Sequence, residues 1–504
     1  MIDAVGKHVF VSYVHEDGDE VDQLCAVLEA AQIPYWRDRK SLGPGDAWKA
    51  EIRQAIRSGS LVFLGCFSDN SRRKDASHMN EELTLAVEEY RKRPPGRTWL
   101  IPVRFDSGEV PEWDLGAGRT LSDLNYVDLF GTGYPAQAAA LVTTIHGVMG
   151  DKQLSPAAAL EAVEQATDVD RADLLKKLTK EMLLDSRRRI QLDDLVSQEV
   201  QRVLKAINDP DRVAGPLVGD GKEQIVSVAT AARDLWGLTK PFCSSLQVAA
   251  RWGEPEALAP WTNGLRSFVQ SSIKTQAGPQ ALLDLRHLPG VASLMTAGMA
   301  CVSSQKWGSL KTLVVDPMVR GSYENKPQAL LEATDPYAPF NQPELAVHTL
   351  ARASIEDKPL ADALTEFTER RASKYHTPVA EWLHKELRPL FLDHWPDDEE
   401  FTAMFDRTEA VLGVLAQDAV NVRIAARGGG WGQSRWFGRL TWRAWRYGNA
   451  VEDLQQELAT ESAMWGPLRG GLFGGDVDRA KAALDKYAEH FGEIAKQQRF
   501  SHLH

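Results

Sequence analysis

The 504-residue sequence predicts a parallel α/β domain at the N-terminus followed by a large all-α region. Three observations carry that expectation. As far as residue 147, short apolar runs of strand length alternate with amphipathic stretches of helical period, the pattern of a parallel sheet covered on both faces. After "GDKQLSP" (150–156) the texture changes, and apolar residues recur at helical spacing almost to the end. The chain is also too long for one hydrophobic core, so more than one domain is expected.

The elements follow in order. "HVFVSY" (8–13) reads as the first strand and "EVDQLCAVLEAAQ" (20–32) as an amphipathic helix. "IPYWRD" (33–38) is the second strand, followed by the loop "RKSLGPGD" and the helix "AWKAEIRQAIRS" (47–58), with Trp48, Ile52, Ala55 and Ile56 on one face. "LVFLGCFS" (61–68) is the third strand. "TWLIPVRF" (98–105) is the fourth, and "LNYVDLF" (124–130) a short fifth before the helix "PAQAAALVTTIHGVM" (135–149). The expected boundaries are 1–147 for the α/β domain, 148–156 for a linker, 157–321 for a helical domain, 322–344 for an irregular connector rich in Pro, Asn and Asp, and 345–504 for a second helical domain.

Composition narrows the function classes. With 43% apolar and 25% charged residues the chain reads as ordinary and globular, and its net charge of −12 argues against indiscriminate nucleic-acid binding. The longest apolar run, "LVFLGCF", is strand-sized, far short of the ~18 residues that span a bilayer. The N-terminus shows no basic segment followed by a long apolar one, so a cytoplasmic protein without a membrane is expected. Cys25, Cys66, Cys243 and Cys301 are scattered with no metal spacing, so no metal site is expected; buried thiols account for Cys25, on a stripe with Val21, Leu24 and Leu28, and for Cys66.

Between the third and fourth strands lies "SHMNEELTLAVEEY" (77–90). Ser77 fits a helix N-cap, and Met79, Leu83, Ala86, Val87 and Tyr90 share one apolar stripe. At 100° per residue, Glu81 points away from that stripe while Glu82 sits on its border, where a carboxylate can reach a cleft beside the helix. Most helix acids are simply solvated, so position alone does not decide between chemistry and a wet surface.

The pieces "FVSYVHED", "YWRDRKSLGPGDAW", "IRQAIRSGSLVFLGCFS" and "MNEELTLAV", in that order and over roughly 140 residues, resemble a TIR (Toll/interleukin-1 receptor) domain. The resemblance implies a flavodoxin-like sheet of five parallel strands. Many TIR domains, especially bacterial ones joined to other modules, cleave NAD+ at the nicotinamide–ribose bond. Their catalytic glutamate precedes an aliphatic residue in the helix after the third strand, which falls on Glu82, followed by Leu83. By the same resemblance Tyr13, Val14 and His15 lie in the loop that contacts the nucleotide, and Asp38 to Asp46, with Leu42, Gly43 and Gly45, form the loop that opens or closes the cleft. Trp48 stacks on a base or packs in the core; Ser68 borders the cleft or caps a turn. His78 stands where several family enzymes carry an aromatic residue. NAD+ would be a consumed substrate, not a cofactor, and TIR–TIR contacts would assemble a homo-oligomer. Architectures of this kind imply antiphage defence by NAD+ depletion, with the helical region sensing a phage or nucleotide trigger. A non-enzymatic adaptor acting through assembly and a cyclase releasing a cyclic ADP-ribose isomer are the alternatives.

A dehydrogenase is disfavoured, because "YVHEDGDEV" after the first strand lacks the G-x-G-x-x-G turn that seats a pyrophosphate, and "SLGPGD" lacks the Lys-Ser/Thr of a P-loop. In the helical region the most unusual stretch is 423–448, which holds Trp431, Trp436, Trp442 and Trp445 among many arginines. Arg435, Arg439 and Arg443 would share one face if the stretch is helical, reached through Gly428 to Gly430. Trp and Arg together suit a sensing or assembly surface, or else Trp442 and Trp445 are core and the arginines solvated.

Overall fold

The computed structural model of the chain describes residues 8–37, 54–74, 77–94, 96–149, 159, 161–164, 170–213, 217–321, 326–427 and 432–501. Two compact units divide the chain, residues 1–178 and 179–504.

The N-terminal unit is built on strands β1 (His8–Ser12), β2 (Tyr35–Arg37), β3 (Ser60–Phe67), β4 (Leu100–Arg104) and β5 (Val127–Asp128). They form one sheet in the order β2-β1-β3-β4-β5, and every neighbouring pair is parallel. The five-stranded parallel sheet expected from sequence is therefore present. Side chains alternate between the two faces of a strand, so Phe10 and Phe63 fall on one face, stacked at 5.2 Å between ring centroids. Trp36 and Trp99 extend the row to either side, at 4.7 Å from Phe10 and 6.0 Å from Phe63. Helix α3 (His78–Arg91), which follows α1 (Gly18–Ala30) and the short α2 (Asp69–Arg72), covers this aromatic row with Met79, Leu83, Ala86 and Val87. Burial of Met79, Leu83 and Val87 contributes about 1.5–3 kcal/mol each. Val9, Val11, Val62, Leu64 and Cys66 fill the opposite face, where α4 (Tyr134–Met149) packs against β3 and α1.

Two local features depart from simple alternation. The fifth strand shrinks to Val127–Asp128, held by Arg104, which donates to both carboxylate oxygens of Asp128 at 2.6 and 2.9 Å. Between β4 and β5 the chain makes a two-stranded antiparallel ribbon, Asp114–Gly116 with Arg119–Thr120. Of the helix expected over 47–58, the described part is a π-helical turn at Ala55–Gly59 with Ile56 buried; Trp48 and Ile52 lie outside the described residues.

The C-terminal unit is helical. Its main members are α5 (Arg189–Asn208), α6 (Gly221–Trp252), α7 (Ala259–Ser272), α8 (Leu288–Ser303), α9 (Glu344–Glu356), α10 (Pro378–Leu387), α11 (Asp398–Arg427), α12 (Leu440–Tyr447) and α13 (Val477–Ser501). Every residue of α8 from Leu288 to Val302 is buried, including Ser293 and Thr296, whose hydroxyl donates to the Ala292 carbonyl at 2.8 Å. It packs against α6, α7 and α11. Gly298 permits the approach to α11, since a Cβ there would sit 2.8 Å from Thr408 Cγ2. The stretch 322–344 lies inside this unit, and an antiparallel ribbon, Met318–Arg320 with Pro327–Ala329, brackets its start.

Candidate functional site

The strand order places β1 beside β3, with the chain leaving β1 towards one edge and β3 towards the other. In open parallel sheets this switch point, at the carboxyl ends of the strands, is where a crevice forms. Ser12 is the last residue of β1 and lies on the same face as Phe10, beneath α3. Its register partner on β3 is Gly65. A Cβ at Gly65 would come 3.3 Å from the Phe67 ring, so the absent side chain keeps that position open beside Ser12.

Glu82 meets Ser12 there. The Ser12 hydroxyl donates to Glu82 Oε2 at 2.5 Å, across 70 residues of sequence. A hydroxyl–carboxylate bond of this length is charge-assisted and directional, and it fixes the orientation of the carboxylate. Ser77 holds the start of α3 by accepting from the Asn80 amide at 3.2 Å, which sets the rotation of the helix. Glu82 is 5% exposed, so it sits deeper than the border position expected from the helical angle; Glu81 is exposed.

A second carboxylate is held near the same edge. Asp17, 2% exposed, accepts from Ser68 Oγ at 2.6 Å and from Asn70 Nδ2 at 2.8 Å. Ser68 also caps α2 by accepting from the Ser71 amide at 3.1 Å, so both of its donor and acceptor capacities serve the local fold. Tyr13 is half-buried, with the Arg37 guanidinium 5.7 Å from its ring centroid, and Arg37 is ion-paired with Asp22 at 2.5 Å. Burial pushes the Cys25 thiol up, and pushes Cys66 further, so neither supplies a thiolate nucleophile.

The other expected contacts divide. Val14 is buried in the core with Phe10 and Phe63, so its side chain faces the protein and only its backbone is available to a ligand. His15 and His78 are exposed. Asp38, Leu42, Gly43, Gly45, Asp46 and Trp48 lie outside the described residues, as do Gly428 to Gly430 and Trp431. Sequence reasoning missed Ser12, Gly65 and Asp17. Only the parity of β1 could have flagged Ser12; the register that sets Gly65 opposite it has no local signature.

The Trp–Arg stretch is rearranged relative to expectation. Arg435 and Arg439 precede α12, so the three arginines do not share one helical face. Arg439 is buried and paired with Glu381 at 2.9 Å, and Arg443 pairs with Asp406 at 2.9 Å; only Arg435, paired with Asp335, is well exposed. Trp436, not Trp445, is the core residue: it is 5% exposed and donates to the carbonyls of Leu331 and Thr334, whereas Trp445 is 52% exposed. Trp442 is half-buried and donates to Glu381.

Among the described residues no helix is long and apolar enough to cross a membrane, and no three His, Cys, Asp or Glu side chains gather as a metal site would require.

The family model of the TIR domain matches residues 9–142. The N-terminal unit thus carries a TIR domain, and the match ends before the helical region begins. No curated protein matches the chain. TIR domains include both NAD+-cleaving enzymes and non-enzymatic signalling modules.

Proposed function

We propose that the chain is an NAD+ glycohydrolase whose catalytic carboxylate is Glu82, switched on by assembly of its TIR domain, with the helical unit as the trigger-sensing region of an antiphage defence protein. The observation that carries this reading is the buried Glu82 carboxylate, oriented by Ser12 at the switch point of the sheet. The chemistry asks little more of the protein. The nicotinamide of NAD+ is already cationic; when the C1′–N bond breaks, the electron pair goes to nitrogen and neutral nicotinamide departs, so no general acid is required. This differs from ordinary glycoside hydrolysis, in which a second carboxyl protonates the leaving group. A fixed carboxylate stabilises the oxocarbenium charge that develops on the ribose and holds its hydroxyls. Water then adds at C1′ and releases a proton. NAD+ is consumed as substrate.

The test is nicotinamide release by the purified full-length protein and its Glu82→Gln variant, with Glu81→Gln as control. Gln keeps the size and hydrogen-bonding capacity of the side chain but not its charge, and the expected loss is about 10²–10³-fold or more. Exposed Glu81 should tolerate the change. Equal losses in both variants would refute the assignment. An always-active NAD+ hydrolase would exhaust its own cell, so activity should appear together with larger particles in mass measurements. Full turnover by a dilute monomer would refute dependence on assembly.

The burial of Glu82 also favours a second reading, a non-enzymatic adaptor in which the Ser12–Glu82 bond only ties α3 to the sheet. Unchanged NAD+ in assembled wild-type protein would select it. Chromatography of the products separates hydrolysis from cyclisation.

A further inference from the structure

The C-terminal unit holds an open groove of about 980 Å³ between the end of α5, the end of α7 and the Met318–Arg320 strand. That size fits a small ligand, at the upper end of the ~300–1,000 Å³ typical of such sites. Arg266, Lys274 and Arg320 line it, and among the described residues no acidic side chain does. Among the described residues none of the three is ion-paired. Several arginines elsewhere in the unit are matched to carboxylates, as in Arg407 with Glu457 and Arg479 with Asp418, whereas this concavity gathers three cations with no carboxylate partner among the described residues.

An ordinary explanation would be that these cations answer the negative carbonyl ends of α5 and α7. At the end of α7 that role is already filled by Arg286, a buried residue behind the groove. Its guanidinium donates to the carbonyls of Ser271 and Lys274, at 2.5 and 2.9 Å, and to Asn208 Oδ1 at 3.1 Å. Arg320 is held by its backbone as well: its amide donates to Gln270 Oε1 at 2.7 Å, and its carbonyl accepts from Gln270 Nε2 at 3.1 Å. Lys274 and Arg320 are thus mounted on fixed main chain with their charges uncommitted. Arginine forks suit phosphate oxygens, which they can engage two at a time.

We infer that this groove binds a small ligand carrying at least two phosphate groups, with Leu204, Ile273 and Met318 in the lining available to a planar apolar part such as a nucleobase. The inference is independent of NAD+ cleavage, because its test reads binding alone.

The experiment is calorimetric titration of full-length protein with tripolyphosphate, ATP and adenosine, repeated on an Arg266→Gln/Arg320→Gln double variant. Both arginines are exposed, so the double variant should melt at the wild-type temperature. Tripolyphosphate and ATP should bind, ATP more tightly, and adenosine should not. The double variant should weaken both ligands at least tenfold. Equal affinity for ATP and tripolyphosphate would keep the anion site and overturn its nucleobase part. Failure of both to bind, or affinities unchanged in the double variant, would overturn the proposal; the latter result would place ATP elsewhere, the TIR cleft included. A duplex oligonucleotide that outcompetes ATP would overturn the small-ligand assignment.

Discussion

Ser12→Ala removes a buried hydrogen bond that orients the proposed catalytic carboxylate. The substitution removes the Oγ that donates to Glu82 Oε2 at 2.5 Å and changes little else, since Ser12 is fully buried and its cross-strand partner is Gly65. A hydrogen bond to a charged group contributes about 1.5–3 kcal/mol. If that energy serves to hold the carboxylate in its transition-state orientation, kcat falls about 10- to 150-fold at ~1.4 kcal/mol per decade. KM should barely move, because the interaction is strongest when positive charge develops on the ribose. Ser12→Thr keeps the hydroxyl on a residue that strands favour and should recover most of the rate. The assay is nicotinamide release under conditions where wild type turns over, with thermal melts run alongside. The melts should show a loss of similar size, because a buried carboxylate short of one donor costs about 1–3 kcal/mol, and the Thr variant should recover it. Activity of Ser12→Ala within twofold of wild type would refute the positioning role. Equal losses in the Ala and Thr variants would show that volume, not the hydroxyl, matters.

Other expectations concern the helical unit. Trp436→Ala should cost about 3–5 kcal/mol, as truncation of a buried aromatic does, whereas Trp445→Ala should stay within about 0.5 kcal/mol; urea titrations distinguish them. Arg439→Glu should unfold the unit or cost about 3–5 kcal/mol, because it sets a second carboxylate against buried Glu381, and a folded variant with wild-type stability would contradict the pairing. Burial holds His348 down to about 4, and burial together with Arg439 and Arg443 holds His384 down to about 2. Below pH ~6.5 the unfolded chain takes up protons at these sites that the folded chain refuses, so urea midpoints should fall from pH 6.5 towards pH 4. Glu409 titrates the other way: burial, then the Asp406 charge, push it up to about 8, so the folded state keeps a proton that the unfolded state loses above pH ~4.5. Stability from this group falls as pH rises through that window, and Glu409→Gln, which mimics the neutral acid, should flatten the decline between pH 6 and 8.

What could be read from the chain was what local pattern encodes. The alternation of strand-length apolar runs with helical stripes specified the five parallel strands, and the stripe through Met79, Leu83 and Ala86 specified which side of α3 faces the sheet. The same angle separated Glu82 from Glu81, because helical rotation depends only on sequence distance.

Tertiary structure alone decided the contacts made by residues far apart in the chain. Ser12 became the partner of Glu82 because β1 pairs with β3 in a register that no local feature records. Arg435, Arg439 and Arg443 looked like one solvated face. In the fold two of them are largely buried against Glu381 and Asp406, since a pair's position depends on how α10, α11 and α12 pack and not on their spacing along the chain. Trp436 and Trp445 are chemically identical, and only the carbonyls of Leu331 and Thr334 made one of them core. The groove cations Arg266, Lys274 and Arg320 come from a helix, the turn after it and a separate strand. Local sequence fixes each of those segments by short-range sterics and hydrophobic period, while their convergence is set by long-range packing.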